Sequence, residues 1–392
     1  MNLDYMELRR NEQIFIIAFC IFILKNLFPI STLVPYIDKL DLVMILLFFV
    51  CIGYKLVTQK YKPYGLLLLV LFTLLFAYAA LSTQYYSIFY GALCIIAMQN
   101  VKLENVLRAS VWIKTVFLFT HVCVYFSILF LYPDTVEMIE RNGVHRHFFY
   151  LQHPNLFSAI LVWTCLEYIY LKYDRIKFNA LLIIFLINMF FYFFTNTNTG
   201  LIVIFLAIVL ILFEKHKGEA FQPFLKQCTK YIFPLLAILF VFLVAMYTRL
   251  SGIAYTLWHE LDKILTGRLL YGAYAYDQYG YSLNGRNILF PEKSYWGGFW
   301  LDNIYFDNSY LYLFITYGSF YLIFISAAFY LLERKMEPKE KIMVILLAVF
   351  GVMEGYVLNI SLCFPLIIIG KYVYDIKFKS IGRGNKLYEQ KN

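Results

Sequence analysis

The chain has 392 residues, of which 61% are hydrophobic and 15% are charged. Its mean hydropathy of +0.67 excludes an ordinary soluble globular fold and indicates that lipid is the solvent for much of its surface. The net charge of +9 does not imply a nucleic-acid partner, because the basic residues are spread over many short segments instead of forming one patch.

About twelve apolar stretches follow one another along the chain. Because about 30 Å of hydrocarbon requires roughly 20 helical residues, each stretch is a predicted membrane-spanning helix. We therefore expect an all-α, polytopic integral membrane protein in which residues 1–392 form a single transmembrane helical domain. The predicted spans are residues 13–33, 40–56, 64–81, 86–100, 110–132, 155–171, 180–195, 200–213, 231–247, 309–331, 341–358 and 362–376.

The distribution of basic residues predicts the orientation of these spans. With a cytoplasmic start, 24 of the 34 Lys and Arg residues fall in cytoplasmic segments and eight fall in outer ones, so both termini are predicted to be cytoplasmic. The first apolar stretch lacks a small-residue cleavage site, and we expect it to remain as a span. The two remaining cations, Lys25 and Lys114, fall inside spans and are expected to reach toward the lipid headgroups.

Two predicted outer loops, residues 133–154 and 248–308, are much longer than the others. Long loops in compact domains are usually functional. These two carry seven of the eight outward cations, although basic residues are otherwise concentrated on the cytoplasmic side. We expect them to form an active-site face, although ordinary solvated surface charge explains the same composition. The second loop is also rich in Tyr and Trp, which line sugar-binding clefts but also form belts at membrane interfaces.

The sixth predicted span begins with the sequence His153-Pro154-Asn155. Proline suits the first helical turn because it has no N–H group to leave unsatisfied, which puts His153 near the N-cap. The positive end of a helix disfavours an imidazolium, so His153 is expected to be neutral and able to accept a proton. A capping or interface histidine without a catalytic role is the alternative.

Every span that enters from outside presents free N–H groups and a partial positive charge to the outer face, where anions bind well. The turn TNTNTG at 195–200 offers Asn198 and Thr199 as caps of the eighth span, and the sequence DNSY at 307–310 offers Asp307, Asn308 and Ser309 for the tenth. Capping alone explains these residues equally well.

Four arginines of the long loops can each direct two hydrogen bonds at phosphate oxygens while they remain charged. They are Arg141, Arg146, Arg268 and Arg286. Glu354 lies near the outer end of the eleventh span and is followed by Asn359. An ionisable residue so close to hydrocarbon is costly and suggests a functional site, or else a pair with a loop arginine.

These residues and their order resemble the O-antigen and capsule polymerase family of Wzy type. The resemblance covers most of the chain as topology and rests on short motifs. The motifs are Arg141-x-Gly143-x-x-Arg146-His147 leading to His153-Pro154-Asn155, the Thr-Asn-Thr-Gly turn before the eighth span, Thr266-Gly267-Arg268, Asp307-Asn308-Ser309-Tyr310-Leu311 with Tyr317-Gly318, and Glu354 with Asn359.

The resemblance implies a membrane glycosyltransferase of the bacterial cytoplasmic membrane. Such an enzyme joins oligosaccharide repeat units carried on undecaprenyl diphosphate into capsule, exopolysaccharide or O-antigen at the outer face. It uses no nucleotide sugar, metal or other cofactor. The implied partners are the lipid-linked oligosaccharide and the bilayer, with a chain-length regulator and a flippase of the same pathway as candidates.

The chemistry of a glycosyl diphosphate assigns roles to these residues. The protein must stabilise charge that develops on the diphosphate, for which Arg146 and Arg268 are the predicted clamp. His153 is the predicted base or acceptor-positioning residue, with His147 and Glu354 as alternatives. The predicted substrate-binding residues are Arg141, His147, Asn155, Asn198, Thr199, Arg286, Asp307, Asn308, Tyr310 and Asn359.

Two other functions are compatible with the sequence. An O-antigen ligase-type transferase shares the topology and the arginine-plus-histidine chemistry and differs in its acceptor. A lipid-linked oligosaccharide flippase is a transporter, and it should bury cations along a central cavity and contain two related halves. The outer-loop cations and the lack of related halves favour the enzyme.

Overall fold

The structure is a computed structural model that describes residues 3–33, 38–61, 63–141, 143–302 and 307–374. As predicted, it is all-α. The helices are α1 (Leu3–Leu27), α2 (Asp38–Thr58), α3 (Pro63–Thr83), α4 (Ser87–Ala97), α5 (Leu103–Leu131), α6 (Pro154–Lys172), α7 (Phe178–Thr195), α8 (Asn198–Lys217), α9 (Gln222–Met246), α10 (Gly252–Ile264), α11 (Arg268–Tyr279), α12 (Ser309–Tyr312), α13 (Ser319–Leu332), α14 (Pro338–Met353) and α15 (Ile367–Val373).

Seven stretches in the described part of the chain are long and apolar enough to cross a membrane. The chain is accordingly a multi-pass membrane protein. Several predicted spans are shorter than expected, because α4 has only 11 residues and α15 only 7. The tenth predicted span, residues 309–331, is broken: α12 continues into a π-helical turn at Leu313–Tyr317 and ends at Gly318, whose positive φ of 101° interrupts the helix.

The two long predicted loops contain regular structure. Residues 133–154 form an antiparallel hairpin of β1 (Met138–Arg141) and β2 (Val144–His147), in which Ile139 is opposite Arg146. The second loop contains α10 and α11, followed by a hairpin of β3 (Lys293–Trp296) and β4 (Phe299–Asp302). We call the end of the helix bundle that carries both segments the loop end.

Helices α6 and α14 are mostly buried, with 14 of 19 and 11 of 16 residues buried. The α6 sequence includes Asn155, Ser158, Thr164 and Glu167, which are costly in contact with lipid and explain why this helix lies inside. Both helices pack against α8 and against each other. The N-terminus of α6 and the C-terminus of α14 therefore meet at the loop end.

Close packing of α8 on α6 depends on Gly200 in the first turn of α8. A Cβ atom at this position would lie 2.4 Å from the hydroxyl of Ser158 and 2.9 Å from a methyl group of Val162. Only glycine allows this approach, and it brings the start of α8 to the N-terminus of α6.

The prediction that Lys114 reaches toward the headgroups is wrong. Its ammonium group is fully buried between α5 and α6, where it donates to Glu167 Oε1 at 2.6 Å and to the carbonyl of Leu362 at 3.0 Å. A buried cation in a helix bundle requires an anion and hydrogen-bond acceptors, which the neighbouring segments provide. Lys25 also has a protein partner, since its ammonium lies 3.7 Å from Asp41.

Candidate active site

The first hairpin places the side chain of Arg146 inside the protein. Successive residues of a strand point to opposite faces, so His145 is exposed while Arg146 is only 3% exposed. Gly143 has a positive φ of 76° in the connecting turn. The hairpin thus carries a guanidinium group from the loop end to the ends of α6, α7 and α8.

Arg146 is bound by the C-terminus of α7 and the turn before α8. Its Nε donates to the carbonyl of Thr195 at 2.8 Å. Its Nη2 donates to Asn155 Oδ1 at 2.8 Å and to the hydroxyl of Thr197 at 3.0 Å. These directed hydrogen bonds fix the plane of the guanidinium group.

Asn155 connects Arg146 to Glu354. Its Oδ1 accepts from Arg146, and its Nδ2 donates to Glu354 Oε1 at 3.4 Å. Glu354 follows the last residue of α14 and is 1% exposed. Its Oε2 is buried and has no hydrogen-bond partner within the described residues. The side chain of Thr199 also lies near the carboxyl group.

The position of Arg268 is set by a short connection between α10 and α11. Asp262 of α10 accepts hydrogen bonds from the backbone N–H groups of Leu269 at 2.8 Å and Leu270 at 3.2 Å, and so acts as the cap of α11. Gly267 precedes Arg268 with a φ of 86°, which favours glycine. Burial raises the pKa of the Asp262 carboxyl above its usual 3.8, while those two N–H groups oppose the shift.

Arg268 reaches the same region as Arg146 from the other loop. Its Nε donates to the carbonyl of Met353 at 2.9 Å, and its Nη2 forms an ion pair with Asp307 Oδ2 at 3.0 Å. Its Nη1 donates to the carbonyl of Leu265 at 3.1 Å and also to the hydroxyl of Thr266. Arg268 therefore contacts the residue next to Glu354.

The start of α12 is attached to the same segment. Asn308 is the N-cap of α12, as predicted, because its Oδ1 accepts from the N–H groups of Tyr310 and Leu311 at 3.0 Å. Its Nδ2 donates to the carbonyl of Val352 at 2.9 Å, and the hydroxyl of Ser309 donates to the carbonyl of Glu354 at 2.6 Å. These bonds hold residues 352–354 against α12.

We call Arg146, Asn155, Arg268, Asp307 and Glu354 the arginine–carboxyl cluster. It contains two guanidinium and two carboxyl groups. Glu354 is close enough to interact electrostatically with both arginines and with Asp307. Within the described residues, Arg268 is paired with Asp307, and Arg146 is connected to Glu354 through Asn155, rather than either arginine forming the predicted direct pair with Glu354.

His153 adjoins the cluster as the N-cap of α6. Its Nδ1 accepts from the N–H group of Asn155 at 3.1 Å, and Pro154 occupies the first helical position, as the sequence predicts. The capping role is therefore confirmed. A catalytic role for the rest of the ring stays a prediction.

Some predicted site residues have contacts outside the cluster. The guanidinium of Arg286 donates to the carbonyls of Tyr279 and Tyr281, both at 2.6 Å, which fixes the loop after α11. The hydroxyl of Tyr310 donates to the carbonyl of Ala348 at 2.7 Å, and its ring stacks on Phe240, so Tyr310 packs in the core.

His147 points to the other face of the hairpin from Arg146, because the residues are adjacent in a strand. Its Nδ1 is 2.5 Å from the hydroxyl of Tyr125. Burial, with a smaller effect from His145, lowers the pKa of His147 below its usual 6.5. His147 therefore lies beside the cluster and not in it.

The prediction that Asn198 and Thr199 cap α8 is wrong. The N-cap is Thr197, and α8 begins at Asn198, which is exposed.

Asn359 lies beyond the cluster and accepts from Ser361 through its Oδ1. The side chain of Arg141 lies outside the described part of the structure; its backbone ends β1.

The sequence interpretation missed two threonines. Thr197 binds both Arg146 and Asn155 through its hydroxyl, and Thr266 binds Arg268. Thr266 belongs to the Thr-Gly-Arg motif and has a positive φ of 56°. A hydroxyl residue one or two positions before a glycine turn was the available signal for Thr266.

The cluster combines fixed cations with buried acceptors. Two arginines held by backbone carbonyls suit a polyanionic ligand such as a diphosphate. A buried carboxyl with an oxygen that accepts no hydrogen bond suits proton transfer to or from a bound group. No group of His, Cys, Asp and Glu side chains within the described residues is arranged to hold a metal ion.

Comparison of the chain with protein-family models, curated proteins and solved structures gave no match.

Proposed function

We propose that this protein is a membrane glycosyltransferase of the Wzy polymerase type. It would join oligosaccharide repeat units carried on undecaprenyl diphosphate, with its loop end at the outer face of the bacterial cytoplasmic membrane. The observation that carries the proposal is the convergence of Arg146 and Arg268, from two separate loops, on the segment around Glu354.

The two fixed guanidinium groups of the cluster support this substrate class. In the proposed reaction, an acceptor hydroxyl forms a bond to the anomeric carbon while the bond from that carbon to the diphosphate oxygen breaks. The leaving group retains the electron pair, and the two arginines stabilise its negative charge. A diphosphate ester is already a good leaving group, so the proposal requires no metal.

We assign the base that accepts the hydroxyl proton to Glu354, with His153 as a positioning residue. Glu354 Oε2 accepts no hydrogen bond within the described residues, whereas His153 Nδ1 is used in capping α6. This choice differs from the sequence prediction, which put His153 first. Glu354→Gln preserves the shape of the side chain and removes its basicity, and His153→Asn preserves the cap.

The assignment is tested by measuring turnover of lipid-linked repeat units by both variants, purified in nanodiscs. We expect Glu354→Gln to reduce kcat by about 100-fold or more, and His153→Asn to retain most of it. The reverse order of the two effects would return the base to His153.

The function itself is tested by the lipid-linked species that accumulate in a deletion strain. Single repeat units on the outer face indicate a polymerase, and their trapping on the inner face indicates a flippase. Free polymer that is not attached to its final acceptor indicates a ligase. Complementation with the wild-type chain must restore the polymer, and Arg249→Ala, which changes an exposed loop-end arginine outside the cluster, is the matched control.

A further inference from the structure

A cavity lined by both apolar and polar side chains opens near the arginine–carboxyl cluster. It has a volume of about 460 Å³ and lies between α1, α2, α4 and the chain after Glu354. This volume is within the range of about 300–1,000 Å³ that is typical of small-molecule sites. The cavity takes no part in the contacts of Arg146 and Arg268.

The same two chain segments contribute residues to the cavity and to the cluster. Leu156, which lines the cavity, follows Asn155 in α6, and Asn155 donates to Glu354. Tyr356 and Asn359 line it from the segment that begins at Glu354. The cavity is thus lined by residues one and two positions along the chain from Asn155 and Glu354 of the cluster.

Several polar groups that line the cavity have unused hydrogen-bonding capacity. Asp41 Oδ1 is buried and has no hydrogen-bond partner within the described residues, because the nearest ammonium, that of Lys25, is 3.7 Å away. Within the described residues, the side-chain amide of Asn26 only donates, from Nδ2 to the carbonyl of Phe22, and that of Asn359 only accepts, through Oδ1. The hydroxyl of Ser87 makes no hydrogen bond to the part of the chain that the structure describes.

Tyrosine rings complete the lining. Tyr86 and Tyr90 contribute from the start of α4, and Tyr356 contributes from the segment after α14. Aromatic faces combined with amide, hydroxyl and carboxylate groups are suited to a sugar, which presents C–H groups on its faces and hydroxyl groups around its edge. A lipid tail would leave these polar groups unsatisfied.

We propose that this cavity binds the saccharide of the acceptor and presents its hydroxyl group to Glu354. The inference rests on the proposed function, because it gives that reaction its second substrate. The donor is then held by its diphosphate at Arg146 and Arg268, and the acceptor is held by its sugar in the cavity.

The experiment uses the full chain in nanodiscs, with lipid-linked repeat units from the deletion strain as substrate. The same units released from lipid by mild acid serve as a soluble acceptor. Ser87→Trp fills the cavity, and Asp41→Asn is a milder variant that changes only one lining group. Ser127→Trp, at an exposed position of α5, is the matched control.

We expect both cavity variants to raise KM for the soluble acceptor by about tenfold, with KM for the lipid-linked donor unchanged. An unchanged acceptor KM in both variants would overturn the inference. An equal rise in both KM values would also overturn it, because the cavity would then hold the sugar of the donor.

A binding measurement separates this inference from the proposed function. Binding of the soluble oligosaccharide is measured by calorimetry with the wild type, Ser87→Trp and Ser127→Trp. If the wild type forms no glycosidic product but binds the oligosaccharide and Ser87→Trp does not, the proposed function fails and the saccharide site stands. If the wild type forms product and Ser87→Trp binds the oligosaccharide normally, the function stands and the cavity assignment fails.

Discussion

Asn155 at the start of α6 donates a hydrogen bond to Glu354 at the end of α14 over 3.4 Å. This contact joins two largely buried helices of the bundle at the loop end. The same amide accepts a hydrogen bond from Arg146, so it couples the conformations of a cation and an anion that come from different segments.

Replacement of Asn155 by Leu should destabilise the protein. The change removes one of the acceptors of Arg146 Nη2 and the donor to Glu354 Oε1, and the loss of these buried hydrogen bonds should cost about 1–3 kcal/mol. Thermal unfolding in nanodiscs measures the effect. Asn198→Leu, at an exposed position in the first turn of α8, is the control and should unfold close to the wild-type temperature.

Arg146→Lys should reduce polymer formation about as severely as Arg146→Ala. Lysine cannot reproduce the separate bonds from Nε to Thr195 and from Nη2 to Asn155 and Thr197, and loss of one fixed donor at a reacting anion costs about 100-fold or more in rate. The measurement is the rate of repeat-unit transfer. A lysine variant with wild-type activity would show that charge alone is sufficient, and Arg249→Lys provides the control.

The pH dependence of stability should reveal the role of Asp262. Burial raises its pKa above 3.8 in the folded protein, so the folded state penalises the charged form. The contribution of Asp262 to the free energy of unfolding is therefore largest below pH 3.8, where the carboxyl is protonated in both states. This contribution declines as the pH rises through the raised pKa of the folded state.

Asp262→Asn keeps an oxygen that can accept from Leu269 and Leu270 but does not titrate. We therefore expect its melting temperature, relative to that of the wild type, to rise as the pH increases above about 4. A difference that is independent of pH would contradict this explanation. Asp262→Ala does not titrate either but removes the cap, so it should be less stable than Asp262→Asn by about 1 kcal/mol at every pH.

The sequence predicted the all-α class and the region of the site, because both depend on local composition. Hydropathy gives the apolar stretches, and His153-Pro154 marks a helix start through its own backbone chemistry. The pairing of Arg146 with Thr197 was not predictable, because it depends on how a hairpin packs over a turn about fifty residues later.

The breaks in the later helices were also missed. The stretch 309–331 contains no charged residue, but it is interrupted at Gly318, where a Cβ atom would lie 2.4 Å from the carbonyl oxygen of Leu283 in the distant loop. Arg286 illustrates the same limit, because an arginine in a polar loop has the same sequence signature whether it faces a ligand or the carbonyl of Tyr279.

The ion pair of Lys114 with Glu167 gives a prediction about stability that is independent of function. Lys114→Met alone leaves a buried unpaired carboxylate and should cost about 3–5 kcal/mol. Lys114→Met combined with Glu167→Leu removes both charges and should recover most of this loss. Unfolding midpoints of the two variants measure the difference, and a double variant as unstable as the single one would show that the pair is not the cause.

The central claim is that Arg146 and Arg268 act on one anionic ligand. Its most direct test is a double-mutant cycle on the Kd for undecaprenyl diphosphate, with Arg146→Gln, Arg268→Gln and the double variant in nanodiscs. The account predicts that each single variant weakens binding by at least about tenfold and that the double variant weakens it much less than the product of the two effects. Strictly multiplicative effects, or single variants that bind as tightly as the wild type, would contradict a shared diphosphate site.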